Sequence, residues 1–301
     1  MELRRIQYFV AVAEEGHFGR AAARLSMAQP PLSQQIKLLE AEVGVTLLER
    51  TTRKVQLTPA GRQFLQRARE ILAAMDAAVA EAGLVAEGRL GRVAIGFTGS
   101  ATYELLPSLT RVLRAQLPGL DLDLRGEMLT PDQVASLLDG SLDLGFLRPP
   151  VRSTVLDVRV LRREALIAVL PEHHRLAQRA RIKLQDLRDE PFITYPSHHR
   201  SVVYDAVIDA CGQSGFSPAR VQEVGETSTL VSFVAAGLGV ALVPASVRNL
   251  KITGAQYLPL VGPQPDVELA IATRRDEKSP HVERVRALAE VLVGGRSKKL
   301  D

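Results

Sequence analysis

The sequence predicts an α/β protein with a mainly helical N-terminal part, one long connecting helix and a two-lobed remainder. Three observations predict this class. Residues 18–42 show two short helical segments joined by a tight turn, residues 59–87 repeat apolar side chains at heptad spacing, and later residues alternate between strand-like and helix-like patterns. We therefore expect domains over residues 1–58, 59–91 and 92–301.

The N-terminal part is organised around the stretch FGRAAARLSMAQPPLSQQIKLLEAE, residues 18–42. A first helix over Phe18–Leu25 is rich in alanine, which favours helix and lets a second helix pack closely. Pro30 and Pro31 suit the first turn of the next helix, where the missing N–H has no partner. The apolar side of that helix is formed by Leu32, Ile36 and Leu39. The pattern predicts a helix-turn-helix, although an ordinary helical hairpin satisfies the same spacing.

The side of the second helix opposite its apolar face is polar. Ser33, Gln34 and Lys37 lie there, with Gln29 at the tip. Such side chains can hydrogen-bond the base edges or phosphates of DNA. An amphipathic helix over Leu3–Glu15 is expected to support the pair from behind.

A short hairpin is predicted directly after these helices. Residues Thr46–Glu49 and Lys54–Leu57 have the composition of two strands, with Arg50 and Arg53 at the tip between them. Arginines on a projecting loop suit a narrow minor groove, where the negative potential is enhanced. The hairpin is interpreted as the wing of a winged helix-turn-helix, and the alternative is a solvated surface turn.

Composition and charge permit a nucleic-acid partner without requiring one. The chain has 301 residues, a formal net charge of +4 and a pI of about 9.4. Residues 20–62 carry seven Lys and Arg against three Glu, so this segment alone could hold the surplus. The single cysteine, Cys211, excludes an intramolecular disulfide and suits a reducing cytoplasm.

Neither a signal peptide nor a membrane span is expected. Glu2, Arg4 and Arg5 interrupt any apolar run at the N-terminus, and no uncharged run approaches the ~20 apolar residues that a membrane-spanning helix needs. We expect a cytoplasmic protein with no membrane partner.

The long helix predicted from Pro59 to Glu87 carries one apolar stripe. Its members recur at alternating steps of three and four residues and are Leu65, Ala68, Leu72, Met75, Val79, Ala82 and Ala86. Nothing nearby in sequence covers such a stripe, so we expect a second copy of the chain to cover it. The alternative is a long helix packed on its own C-terminal domain.

Residues 92–301 are expected to form α/β units. The buried strand Arg92–Phe97 is followed by a loop at residues 98–100 and a helix from Tyr103. Further strands and helices complete a parallel unit.

A second unit opens at the strand Ala165–Leu170, and the last helix, Pro280–Val293, is expected to return to the first unit. A chain that leaves one lobe, builds another and comes back forms a hinged clamp, whose cleft is the default ligand site. The predicted lobes are residues 92–162 with 268–301, and residues 163–267.

Catalytic and metal chemistry find little support in the sequence. No nucleophile elbow of the type G-x-S-x-G is present. The adjacent pairs His173-His174 and His198-His199 lack a thiol cluster, and neighbouring side chains rarely point the same way. We expect no catalytic residues, no metal site and no cofactor.

The chain resembles LysR-type transcriptional regulators over nearly its whole length. The most specific segment is residues 18–61, and looser ones follow in the same order: RVAIGFTGS, LLDGSLDLGFLR, ALIAVLP and VAAGLGVALVPAS. The resemblance implies a winged helix-turn-helix, a long dimerising linker helix, a periplasmic-binding-protein-like effector domain and a homotetramer. The opening segment, the double proline and LVPAS are similar to the muconate-, benzoate- and chlorocatechol-responsive regulators of aromatic catabolism.

On the DNA side, the resemblance implies a set of contact residues in the second helix and the wing. They are Gln29, Pro30, Pro31, Ser33, Gln34, Lys37, Arg50 and Arg53. Gln34 departs from many relatives, which have Arg there. Because Arg favours guanine and Gln favours adenine, the preferred half-site is expected to differ at one base.

On the effector side, the resemblance implies a set of residues at strand ends and helix starts. They are Thr98, Gly99, Ser100, Thr130, Arg148, Val202, Val203 and Thr227. Hydroxyls and a guanidinium at the carboxyl ends of strands suit a carboxylate. Helix capping by Ser100 and Thr130, or a surface position for Arg148, would be the plainer explanations. Val202 and Val203 lack the aromatic ring that similar regulators can carry there.

These observations leave a leading function and an alternative. The leading one is a transcriptional regulator whose binding to double-stranded promoter DNA is modulated by a small aromatic or dicarboxylic acid. The alternative is an architectural DNA-binding protein with a ligand-unresponsive clamp. An enzyme on the two-lobed fold lacks an evident nucleophile and base.

Overall fold

A computed structural model describes residues 1–50, 55–197 and 201–297 of the chain. The chain divides into two compact units, Met1–Gly83 and Leu84–Asp301. No helix among the residues so described has the length and apolar content to span a lipid bilayer.

The first unit begins with the predicted helices. They are α1 (Leu3–Glu15), α2 (Phe18–Arg24) and α3 (Gln29–Val43). Pro30 and Pro31 lie in the first turn of α3, as predicted. The His17 ring precedes α2 and accepts the N–H of Gly19 over 2.9 Å, so a histidine supplies the N-cap. The core that these helices share includes Phe9, Ala21, Leu32, Ile36 and Leu39.

The predicted hairpin follows α3. Strands β1 (Leu48–Arg50) and β2 (Val55–Leu57) pair antiparallel. Strand β1 starts at Leu48, two residues later than predicted, and the predicted first residue of the second strand, Lys54, lies outside the described residues. The Glu40 carboxylate accepts the N–H groups of Leu47 and Leu48 over 2.9 and 3.0 Å, which anchors the start of the hairpin to α3.

Helix α4 (Pro59–Ala86) follows the hairpin and nearly matches its predicted length. Within the first unit, Leu65, Ala68 and Leu72 pack against the shared core. The prediction that another copy covers the whole stripe is therefore wrong for its first half. Met75 and Val79 are exposed, so the later half remains uncovered within the described chain.

The second unit contains a first lobe built on a mixed sheet. Its strands are β3 (Leu90–Phe97), β4 (Gly119–Arg125), β5 (Leu144–Leu147), the first half of β6 (Leu156–Pro171) and β11 (Asp266–Arg274). Strand β3 is parallel to β4 and β5, whereas β11 pairs antiparallel with β5 and β6. The three strands β3, β4 and β5 therefore form the expected parallel unit.

The second lobe uses the other half of β6. From Leu166 onward this strand pairs with β9 (Ala241–Pro244) and β10 (Ala255–Leu258). Strands β7 (Phe192–Thr194) and β8 (Val221–Glu223) pair parallel beside them. Only residues 165–170 of β6 were predicted as strand. The charged residues before them are extended because β11 pairs with them, which overrides their low strand propensity.

The helices of the second unit surround these sheets. They are α5 (Gly99–Gln116), α6 (Thr130–Leu138), α7 (Val202–Gln213), α8 (Thr227–Ala235) and α9 (Pro280–Ser297). The prediction of a loop at residues 98–100 is wrong for Gly99 and Ser100, because α5 begins at Gly99 and Thr98 is its extended N-cap residue.

We predict that Gly61→Ala destabilises the first unit by roughly 3 kcal/mol, the upper end of the cost of overpacking. Gly61 is buried in the first turn of α4, and a Cβ atom there would lie 2.0 Å from the Leu47 carbonyl oxygen. Gly83→Ala is the matched control, since a Cβ at that glycine of the same helix meets nothing within 4 Å. Thermal unfolding should show a lowered Tm for the first variant and an equal or raised Tm for the second; equal Tm values would contradict the crowding argument.

Candidate functional site

Helix α3 presents a polar face to solvent. Gln29, Pro30, Pro31, Gln34 and Lys37 are exposed, while Ser33 is half-buried. Because Leu32, Ile36 and Leu39 fill the core on the opposite side, these residues share the outward side of the helix. The structure therefore brings together the predicted contact residues of α3. Arg50 ends strand β1, and Arg53 lies outside the described residues.

An ion-pair cluster that the sequence did not reveal ties this unit together. The Glu14 carboxylate of α1 accepts hydrogen bonds from Arg24 of α2 and Arg69 of α4, each over 2.8 Å. Hydrogen bonds from Arg69 and Arg24 lower the pKa of Glu14 below its ordinary value. Arg24 and Arg69 are thus paired with a carboxylate of the same unit.

The second unit has a pocket between its lobes. All eight residues predicted on the effector side line it: Thr98, Gly99, Ser100, Thr130, Arg148, Val202, Val203 and Thr227. Further wall residues are Glu127, Leu129, Tyr195, Ser201, Gly225 and Pro244. Helices α5, α6, α7 and α8 all begin at this pocket, which places positive helix ends around it.

The space inside the pocket is small. Its volume is about 20 Å³, which leaves room for about one water, whereas a cavity of roughly 150 Å³ holds benzene. A wider depression of about 470 Å³ adjoins it and shares Thr130 and Val202 with its wall. Exposed Arg152 and Asp205 stand at this outer depression.

Arg148 is buried and already paired. Its guanidinium donates to Ser100 Oγ over 2.6 Å, to the Glu268 carbonyl over 3.0 Å and to the Glu164 carboxylate. The side chain is 3% exposed, which excludes the surface position considered from the sequence. The expected cation of the site is therefore neutralised by an internal carboxylate.

Glu164 is in turn held by two guanidinium groups. Besides Arg148, Arg162 donates to it over 2.8 Å and also contacts Glu104. Burial by itself would raise the pKa of Glu164, but Arg148 and Arg162 outweigh burial and hold that pKa below its ordinary value. The sequence offered no signal for this chain of alternating charges, because its members lie on α5, β6 and the residue after β5.

The pocket hydroxyls are also engaged. Thr130 Oγ1 donates to the Arg148 carbonyl over 3.2 Å and accepts the Arg148 N–H over 3.0 Å, so it joins α6 to the end of β5. Thr227 Oγ1 lies 2.9 Å from the Tyr195 hydroxyl. Burial raises the pKa of Tyr195 to about 12. Neither Ser100 nor Thr130 makes the side-chain helix cap considered from the sequence.

Among the six further wall residues, Glu127 is the charged one, and the sequence pattern did not predict it. Its carboxylate accepts the N–H groups of Thr227 and Ser228 over 3.0 and 3.3 Å, and the Tyr103 hydroxyl donates to it. Burial and this bond raise the pKa of Tyr103. The signal that could have found Glu127 is its place just beyond the carboxyl end of strand β4.

The part of the chain that the structure describes contains no group of three or more His, Cys, Asp or Glu arranged to hold a metal ion. His174 Nε2 lies 3.0 Å from Glu190, and His173 is exposed beside Glu172. The pair partners His198 and His199 fall outside the described residues. Cys211 is buried, and burial raises the pKa of its thiol to about 12.

Two family models match the two units. The model "Bacterial regulatory helix-turn-helix protein, lysR family" matches residues 3–62, and the model "LysR substrate binding domain" matches residues 86–293. The chain belongs to the LysR family of bacterial transcriptional regulators. This assignment confirms the resemblance and the predicted fold class.

This LysR-type regulator is also similar to individual proteins along its length. It is 44% identical over 280 residues to the HTH-type transcriptional regulator AlsR of Bacillus subtilis (strain 168), covering 93% of this chain and 92% of AlsR. It is 37% identical over 284 residues to BenM of Acinetobacter baylyi, covering 94% of this chain and 93% of BenM.

Solved structures extend the comparison. CbnR, a LysR family regulator, superposes with a TM-score of 0.86 at 31% identity, covering 96% of this chain and all of CbnR. CbnR has also been solved with its target DNA, with a TM-score of 0.84 at 30% identity, covering 97% of this chain and 100% of that one. The BenM effector-binding domain with its effector benzoate superposes with a TM-score of 0.61 at 29% identity, covering 69% of this chain and 94% of that domain.

We predict that Arg148→Met destabilises the second unit by about 3 kcal/mol near neutral pH, because the buried Glu164 carboxylate then keeps only Arg162 of its two guanidinium partners. In the wild type, the lowered Glu164 pKa contributes stability above the ordinary carboxyl pKa of 4.5, and that contribution is lost as pH falls. The difference between variant and wild type should therefore shrink in acid.

Arg163→Met is the matched control. Arg163 also pairs with a carboxylate, Glu268, but its side chain is 67% exposed, so its removal should change Tm little. Thermal unfolding across a pH series checks both expectations. A Tm loss for Arg148→Met no larger than that of the control would show that the buried pair is dispensable.

Proposed function

We propose that this LysR-type regulator binds a small aromatic or dicarboxylic acid between the lobes of its second unit, and that this effector modulates promoter binding. The observation that carries the proposal is the start of α5, α6 and α7 at one pocket, where α8 also begins but has its first N–H groups bonded to Glu127. Unpaired N–H groups and aligned dipoles at helix N-termini favour anions. BenM, a relative, has been solved with its effector benzoate.

The charge of the effector is met in this proposal mainly by helix ends. Arg148 is neutralised by Glu164, so it acts on the ligand through Ser100, whose Oγ it holds. The α5 start around Thr98, Gly99 and Ser100 then supplies the donors for one carboxylate.

The apolar part of the effector would contact the other walls. Leu129, Val202, Val203 and Pro244 are apolar, and Tyr195 adds a ring. Because the side chains at residues 202 and 203 are small and aliphatic, an opened clamp would have space beside them for a ring or an extended diacid. We propose that the effector enters through the outer depression beside Thr130 and Val202.

The small volume of the pocket favours a second candidate function. A volume of about 20 Å³, with Arg148 already paired, is also what a ligand-unresponsive clamp on an architectural DNA-binding protein would show. A responsive clamp must open to admit its ligand and would shift toward the state that binds it better.

The experiment that separates the two functions uses the full chain with benzoate, cis,cis-muconate and neutral benzamide. A carboxylate effector should raise Tm and alter the DNase footprint, whereas benzamide should do neither. We predict that Ser100→Ala weakens the response about tenfold, as expected for loss of a hydrogen bond to a charged group. Ser108→Ala is the control, since Ser108 is buried in the same helix and bonds only helix carbonyls. No response to any carboxylate would favour the architectural protein.

On the DNA side, we propose that the exposed face of α3 enters the major groove and that Arg50 and Arg53 contact DNA from the wing. The exposed apolar residues Met75 and Val79 of the α4 stripe are proposed to pair two chains into a homodimer. The family resemblance supports the further proposal that two dimers form a homotetramer. Paired helix-turn-helix units would then read paired half-sites.

We predict that Gln34→Arg changes base preference at one position of each half-site from adenine toward guanine. Gln34 is exposed on α3, so the substitution leaves the core untouched. Selection of binding sites from a random DNA pool measures the effect. Gln213→Arg adds the same charge on an exposed residue of the second unit and should leave the preference unchanged; the same selected sequence for all three proteins would remove Gln34 from the base contacts.

A further inference from the structure

The Glu127 carboxylate connects the two lobes of the second unit. Glu127 follows strand β4 in the first lobe, and the Tyr103 hydroxyl of the same lobe donates to it. Its two oxygens accept the N–H groups of Thr227 and Ser228, which open helix α8 in the second lobe. A single side chain therefore bonds both sides of the pocket.

Helix α8 depends on this carboxylate for its cap. Glu226 occupies its N-cap position but makes no side-chain cap hydrogen bond; its carboxylate instead accepts from Thr229 Oγ1 over 3.2 Å. The first N–H groups of a helix have no partner within the helix and favour an anion. Glu127 meets that requirement from a distance of 100 residues in sequence.

The surrounding chain is shaped for this contact. Glu127 has a φ of +58°, a left-handed conformation that a glutamate rarely adopts. Thr102 Oγ1 accepts its N–H over 3.1 Å and so helps to hold it there. A Cβ at Gly99 would lie 2.0 Å from Thr227 Oγ1 and 2.6 Å from Glu127 Oε2, so glycine makes room for both. Strained backbone of this kind persists where the surrounding contacts over-determine it.

We propose that Glu127 is a tethered carboxylate that caps α8 from the opposite lobe and clasps the pocket shut while no effector is bound. The clasp accounts for the small pocket volume, because it fixes the α8 start against α5. Its link to regulation rests on the proposed function. An effector binds only to chains in which the clasp is open, so its apparent affinity falls in proportion to the open fraction.

The test replaces Glu127 by glycine in the full chain. Glycine fits the left-handed backbone, so Glu127→Gly removes the carboxylate without adding strain. Hydrogen exchange of the peptide covering residues 226–235 should become about tenfold faster, the effect of losing a helix cap. Acetate should restore slow exchange by occupying the vacated position, whereas acetamide should not. Neither acetate nor acetamide should change the exchange rate of the wild-type protein.

Glu226→Ala is the matched control, because it removes a carboxylate from the same helix end without removing a cap bond. Its exchange should stay within about twofold of wild type, since an exposed charge near a helix end has a small effect. Unchanged exchange in Glu127→Gly, or equal rescue by acetamide, would overturn the clasp. If the glycine variant is unfolded by circular dichroism, Glu127→Gln replaces it, and exchange as slow as in wild type would likewise overturn the proposal.

Effector affinity supplies the second arm. Benzoate should bind Glu127→Gly severalfold more tightly than wild type, because less closure opposes it. Equal or weaker binding alongside faster exchange would overturn the gating role. Failure of benzoate to bind either protein would count against the proposed effector class alone, since the acetate arm still decides whether Glu127 clasps the lobes.

Discussion

The buried ion pair between Arg148 and Glu164 is the interaction on which the clamp domain depends. Arg148 follows β5, and from there it reaches Ser100 at the start of α5, Glu164 on β6 and a carbonyl of β11. The backbone carbonyl and N–H of Arg148 are hydrogen-bonded to the hydroxyl of Thr130, where α6 begins. A buried guanidinium is tolerated only when paired, so these elements are locked around one charge. The ion pair thereby fixes the position of Arg148 in the wall of the pocket.

Internal carboxylates shape the electrostatics of this regulator. Glu164 satisfies Arg148, Glu127 satisfies the start of α8, and Glu14 engages Arg24 and Arg69 near the DNA-binding helices. The clamp is consequently poor in free positive charge at its centre, so the acidic effector proposed above would have to be recognised by geometry and helix ends. Specificity from such fixed dipoles is sensitive to sub-ångström placement, because each donor has one direction.

Much of this architecture was predictable from local pattern. The helix-turn-helix followed from the spacing of Leu32, Ile36 and Leu39, and the eight pocket residues followed from motif resemblance and strand ends. The local pattern did not predict contacts between residues that are far apart in sequence. The charged half of β6 is strand only because β11 lies beside it, and Glu127 caps a helix that starts 100 residues later. Thr98, Gly99 and Ser100 are poor helix formers, so their sequence predicts a loop. In the structure, helix α5 nevertheless begins at Gly99.

Strand β6 has a mechanical consequence for the clamp. It passes from the first sheet to the second between Ala165 and Leu166, and the returning chain crosses beside it, where Leu166 donates to the Pro265 carbonyl over 2.7 Å. Two covalent connections cross side by side here, so a hinge rotation about this place is the motion of the lobes that keeps both connections intact. Because the pocket lies between the lobes, such a rotation would change the distance between its two walls.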